Sequence, residues 1–173
     1  MTLFTIGHGT VDEDTFVRRL AATPVERVVD VRRFPGSRRW PWFAGDAMAV
    51  WLPLLGVAYE QSADLGGRRR PQPDSPNVAL RESGFRGYAD YMETAPFRDA
   101  FAALRAAAAE RPTAVMCSET LWWRCHRRLI ADAAVLLAGD EVIHVVGDTL
   151  QPHRLTSGVR LDGDRLVYDQ GSG

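Results

Sequence analysis

The chain has 173 residues, 46% of them hydrophobic and 25% charged, with 21 basic against 22 acidic side chains and a net charge of −1. That length and balance describe a globular protein of one domain, or one domain with a short appendage, and exclude intrinsic disorder, collagen-like repeats and a surface basic all over. No run approaches the roughly 20 apolar residues of a membrane helix, and all 21 basic residues are arginine, whose planar fork suits carboxylates and phosphates.

Short β-like runs alternate with helix-length amphipathic stretches, which is the pattern of an α/β sheet. Leu3–Ile6 is the first apolar run and ends at Gly7, His8 and Gly9. The spacing of Val11, Phe16, Val17 and Leu20 predicts a helix over Asp12–Leu20. Val28–Val31 is a second strand, apolar enough for burial on both faces. Ala47–Leu55 has helical spacing that Pro53 ends or kinks, and Val57–Tyr59 reads as a weak third strand. Residues 66–84, with Pro71, Pro73 and Pro76, form a long loop of the kind that is functional or mobile. Helices follow at Tyr88–Thr94 and Phe97–Glu110, then a strand at Thr113–Cys117 and a helix from about Trp122 to Leu137. Val142–Val146 is the last core strand, and Val159–Tyr168 reads as a hairpin turning at Asp162 and Gly163.

Ligands of open α/β sheets sit outside the carboxyl ends of the strands, so the residues following each strand are the candidate site. His8 follows the first strand; Asp30 lies in the second, which runs into Arg32, Arg33, Arg38 and Arg39. Arg68 stands with Arg69 and Arg70 in the long loop. The fourth strand delivers Cys117, Ser118 and Glu119, and the helix expected to begin near Thr120 as its cap carries Arg124, Cys125, His126, Arg127 and Arg128. A helix dipole and nearby arginines favour the thiolate of Cys117, which makes it a candidate nucleophile. Against that stand the charge of Glu119 and the reading of Cys117 as a small buried hydrophobe. The spacing from Cys117 to Arg124 does not suit a phosphatase-type loop.

His8 or His126, oriented by Asp30 or Glu119, suits proton transfer; the same pairs also serve to hold strand ends together. Cys117, Cys125, His126 and His8 could gather around zinc, but the Cys-x7-Cys-His spacing is no recognised zinc motif, so no metal is expected and no cofactor is indicated. Arg32, Arg38, Arg68 and Arg127 are candidate anion-binding groups, with solvated charge runs as the alternative. Trp40, Trp42, Phe43, Trp122 and Trp123 beside them are core or a stacking platform for a base. Met1–His8 lacks the basic and long apolar regions of a secretory signal, and two cysteines are too few for a disulfide framework, so a cytoplasmic protein is expected.

Several separated motifs resemble the DUF488 family in one order. They are Thr5–His8, Val29–Arg32 with Pro35, Ser37 and Arg38, Leu65–Arg68, Phe85, Tyr88, Ala89, Tyr91 and Met92, Met116–Glu119, and Cys125–Arg127. The resemblance spans residues 4–147. It implies a three-layer α/β sandwich with a mainly parallel sheet, here over residues 1–150; residues 151–173 are read from the sequence as the C-terminal hairpin and a frayed tail. It also implies a site around His8, Asp30, Arg32, Arg38, Cys117, Glu119, Cys125, His126 and Arg127. One departure is Gly9, where the family often has Ser. The family's name assigns no reaction. The expectation is an enzyme on a small anionic, phosphorylated, nucleotide-like substrate. Cys117, Glu119, His8 and His126 would be its catalytic groups, and Asp30, Arg32, Arg38, Arg68 and Arg127 its binding groups. The alternative is a non-catalytic nucleotide- or nucleic-acid-binding module with a structural Cys/His cluster.

Overall fold

The computed structural model describes residues 1–170. Its main sheet has six strands: β1 (Thr2–Gly7), β2 (Arg27–Asp30), β3 (Ala58–Gln61), β4 (Thr113–Cys117), β5 (Glu141–Val146) and β6 (Thr149–Pro152). Their order is β3-β2-β4-β1-β5-β6, with the first five parallel and β6 antiparallel to β5 at the edge. A second, two-stranded antiparallel sheet consists of β7 (Val159–Asp162) and β8 (Arg165–Tyr168). The five α-helices among the described residues are α1 (Glu13–Ala21), α2 (Gly45–Leu54), α3 (Ser83–Tyr91), α4 (Ala95–Glu110) and α5 (Arg127–Ala138). None is long and apolar enough to cross a membrane.

Strand side chains alternate in direction, which sorts the core into two layers. Phe4, Ile6, Val28, Ala114 and Met116 pack with Phe16 and Leu20 of α1 and Met48 and Leu52 of α2. Leu3, Val29, Val115 and Cys117 face the opposite way, onto Tyr88, Leu104, Leu129 and Ile130 of α3, α4 and α5. The result is the expected three-layer α/β arrangement. From β1 the chain leaves through α1 to β2 on one face; from the adjacent β4 it leaves through α5 to β5 on the other. The two exits diverge, which opens a crevice at the carboxyl ends of β1 and β4.

Local chemistry explains the helix ends. Asp12 caps α1, its carboxylate accepting from the Thr15 amide at 2.8 Å. Pro53 lies in the last turn of α2, which stops one residue later. Gly139 closes α5 with φ 67°, a conformation that glycine adopts without cost.

The helix expected after β4 is corrected. The helix expected from Trp122 begins only at Arg127: Trp122–Arg124 form a 3-10 turn, and Cys125 is extended at φ −126°, ψ 150°. Trp122 is held out of a regular helix because its ring stacks on His144 at 4.2 Å. Thr120 therefore does not cap that helix. The edge strand β6 was not expected from the sequence; Gly147 at φ 57° turns the chain back onto β5. The expected boundary at residue 150 falls inside β6, and the hairpin packs on the main core, with Leu166, Val167 and Tyr168 buried. The tail expected to fray includes residues 171–173, which lie outside the described residues.

Candidate functional site

A cavity of about 300 Å³ opens in the crevice at the carboxyl edge of the sheet. His8 after β1, Arg32 after β2, Arg68 after β3, Cys117 at the end of β4 and His126 before α5 all line it. Arg33 and the exposed Phe34 complete one wall, and none of the lining residues is acidic. Gly7 makes the crevice possible: a Cβ there would run into the carbonyl of Glu119 and reach Arg127 Nη2 at 2.9 Å. The amides of His8 and Gly9 donate instead to the carbonyls of Cys117 and Ser118, at 3.0 and 2.8 Å, which ties the two loops together. Gly9 has φ 56° and sits against Thr120 Oγ1, so the serine common in the resembling family has no room here.

Asp30 does not line the cavity. It is fully buried and receives Arg32 Nε at 2.9 and 3.1 Å, Arg32 Nη2 at 2.6 Å and the Tyr59 hydroxyl at 2.6 Å. Arg32 then reaches from Nη1 to His8 Nε2 at 3.2 Å. Because His8 Nδ1 stands 2.8 Å from the Gly9 carbonyl, its proton lies on Nδ1 and Nε2 accepts from Arg32. Burial lowers the His8 pKa to about 4, and the Arg32 charge acts the same way. His8 is thus a neutral imidazole with both nitrogens engaged, stacked on Phe43 at 4.4 Å. Its bonds suit it to positioning Arg32 rather than carrying protons.

Behind the cavity lies a second cluster. The ligating atoms of Cys117, Cys125 and His126 all fall within 4.8 Å of one another, with His126 Nδ1 3.7 Å from Cys125 Sγ. This is a donor set that could hold a soft metal. Gly67 packs against the His126 ring, and His126 Nε2 is buried with no hydrogen-bond partner. Arg127 is 1% exposed and donates from Nε to Cys125 Sγ at 3.4 Å, from Nη1 to Thr5 Oγ1 at 3.4 Å, and from Nη2 to the Glu119 carbonyl. Burial opposes ionisation of Cys125, but the Cys117 thiol, the Arg127 guanidinium and His126 outweigh it and hold its pKa well below the ordinary value. Cys117 is held well above, first by the neighbouring Cys125 sulfur and then by burial. The two shifts run in opposite directions, so Cys125 is the more acidic thiol of the pair.

The structure thus brings His8, Arg32, Arg68, Cys117 and His126 to one cavity and leaves the other expected residues outside it. Arg127 sits behind Cys125. Glu119 uses Oε1 to accept the Leu121 amide at 3.1 Å, which secures the β4–α5 loop. Arg38 is exposed and outside the lining.

Sequence reasoning missed Tyr59, the second anchor of Asp30, and a buried chain behind Arg127. Thr5 Oγ1 meets His144 Nδ1 at 2.7 Å, His144 Nε2 meets His153 Nδ1 at 2.9 Å, and His153 Nε2 meets Asp132 at 2.9 Å. The one signal for it was His144 alone among apolar residues in β5. Arg68 stands in the left-handed region at φ 60°, a strain of about 1 kcal/mol that concentrates at functional loops.

The family model described as "Domain of unknown function DUF488" matches residues 13–134, which include Arg32, Arg68, Cys117 and Cys125–Arg127 but not His8. No curated protein and no solved structure matches the chain significantly.

Proposed function

The chain belongs to the DUF488 family, and from its site we propose that it is an enzyme acting on a small phosphorylated, nucleotide-like substrate, with Cys117 as the attacking group. The observation that carries this reading is a cavity lined by Arg32, Arg33 and Arg68, without a carboxylate, over the Cys117 thiol. Asp30 neutralises Arg32, but no ion pair occupies Arg33 or Arg68 among the described residues. An anion entering the cavity supplies the missing charge. Phe34, 63% exposed, has the guanidinium carbons of Arg33 and Arg68 at 5.5 and 5.8 Å from its ring centre, an aromatic face for a base beside cations for a phosphate. In the proposed step the Cys117 sulfur bonds to the electrophilic centre as that centre's bond to its leaving group breaks, and the Cys117 proton passes by way of His126 to the leaving group. Water then displaces the sulfur and restores the Cys117 thiol.

The test is calorimetric titration with inorganic phosphate and adenosine monophosphate, followed by turnover assays on a panel of nucleoside phosphates. Arg68→Ala and Arg33→Ala each weaken phosphate binding about tenfold or more, the loss of a charge-assisted hydrogen bond. Cys117→Ala abolishes turnover and leaves phosphate affinity within about twofold. Equal titrations of the wild type and Arg68→Ala overturn the anion site. Turnover that survives Cys117→Ala overturns the nucleophile.

Phe34 between its two arginines also favours a second reading, a nucleotide-binding module without chemistry. That reading expects the same phosphate affinity, falling steeply with salt, and no turnover.

A further inference from the structure

Cys117 and Cys125 stand differently towards the cavity. Cys117 lines the cavity and is 8% exposed; Cys125 is buried behind it, with no place in the lining. Their sulfurs lie within 4.8 Å of each other. Both residues stand at element ends, Cys117 as the last residue of β4 and Cys125 in extended backbone before α5, where small adjustments can bring the sulfurs to the roughly 2 Å of a disulfide. Arg127 donates to Cys125 Sγ at 3.4 Å, which fixes that sulfur behind Cys117.

We propose that the two cysteines form a redox couple, oxidised to an intramolecular disulfide by a small hydroperoxide that enters the cavity. The Cys117 sulfur gives up its proton and attacks one peroxide oxygen. The O–O bond breaks, Cys117 becomes a sulfenic acid, and the oxygen released takes that proton and leaves as water. The Cys125 sulfur then gives up its proton and attacks the Cys117 sulfur; the S–S bond forms and the sulfenic oxygen leaves with that proton as a second water. The two sulfurs lose two electrons between them and the peroxide gains two.

The inference does not depend on the substrate proposed above. Reduced full-length protein is exposed to hydrogen peroxide and analysed by intact mass and non-reducing peptide mapping. The expected result is a loss of two hydrogens, a Cys117–Cys125 cross-linked peptide, and recovery of both thiols with reduced glutathione. Cys125→Ala and Cys125→Ser lose the cross-link, and dimedone captures the sulfenic acid on Cys117 instead. The proposal is overturned if both wild-type thiols stay free, or if Cys117 reaches sulfinic acid as fast in the wild type as in Cys125→Ala. A metal ion copurifying at one per chain and shielding both thiols overturns it as well. Because no substrate enters this readout, its failure leaves the anion-substrate reading standing, and a failure of phosphate binding leaves the dithiol standing.

Discussion

Arg127 Nε lies 3.4 Å from Cys125 Sγ, both side chains are buried, and no carboxylate pairs with the guanidinium among the described residues. The chemistry of the site and its dependence on pH both follow from that arrangement.

The first consequence is a stability profile. Cys125 has a folded pKa below its unfolded value, so its stabilising contribution is fully present above about pH 8.5 and declines as pH falls toward the folded value. Cys117 is shifted upward, so it destabilises the fold as pH rises beyond the same unfolded value. Relative to a Cys117→Ala/Cys125→Ala double variant, wild-type stability in urea therefore peaks near pH 8.5. A pH-independent difference contradicts the opposite shifts. Arg127→Met, which removes the positive charge beside the sulfur, raises the Cys125 pKa, followed through thiolate ultraviolet absorbance.

Two buried histidines make the fold acid-labile. Burial lowers His8 to about 4; burial, His153 and Arg127 lower His144 to about 3. In the unfolded chain both take up protons below about pH 6.5, while in the folded protein neither does. Stability is thus lost as pH falls from about 6.5 toward those values, by on the order of 2 kcal/mol per histidine near pH 5. An NMR titration finding either imidazole at its ordinary midpoint would sink this account.

The Asp30–Arg32 pair, bonded through 2.6 Å and flanked by Tyr59, holds the cavity wall in place. Asp30→Ala leaves a buried, uncompensated guanidinium and costs about 3–5 kcal/mol. Tyr59→Phe removes one hydrogen bond to a charged group and costs about 1.5–3 kcal/mol. Urea denaturation measures both. An Asp30→Ala cost below that of Tyr59→Phe contradicts the ranking.

Gly7→Ala places a methyl against the Glu119 carbonyl and Arg127 Nη2, so the loop carrying Ser118 and Glu119 has to move. The expected cost is about 1–3 kcal/mol, that of overpacking a filled site, together with weaker phosphate binding. A variant as stable as the wild type, with unchanged binding, shows that the close approach does not matter.

Truncation before Val159 tests whether the hairpin is part of the fold. Tyr168 is fully buried and donates to Asp132 at 3.0 Å, so its removal uncovers apolar core and a buried carboxylate. The shortened chain is expected to lose cooperative unfolding by circular dichroism; a sharp transition near the wild-type midpoint rejects this.

The fold was legible wherever burial leaves a period in the residues. Leu3, Phe4 and Ile6, or Ala114 through Cys117, are apolar on both faces because helices cover both, and such runs identify central parallel strands without further information. Asp12 before an amphipathic run marks a helix start for a local reason, the unsatisfied amides of the first turn. β6 was not legible because an edge strand needs little apolar character, and the 3-10 turn at Trp122 was hidden because its cause, the stack on His144, is distant in sequence.

For the site, the sequence by itself determined which chemistries are present and that each follows or ends a strand: His8 after β1, arginines after β2, Cys117 at the end of β4. Only the tertiary structure decided what each charge does. Arg32, Arg38, Arg68 and Arg127 are the same residue type in similar charged runs, yet one is bound to Asp30, one is exposed, one faces the cavity and one is buried against a cysteine sulfur. The physical reason is that a guanidinium's role depends on the distance to the nearest anion and on its exposure to water. Both are set by residues far along the chain, so no local pattern of arginines can state them.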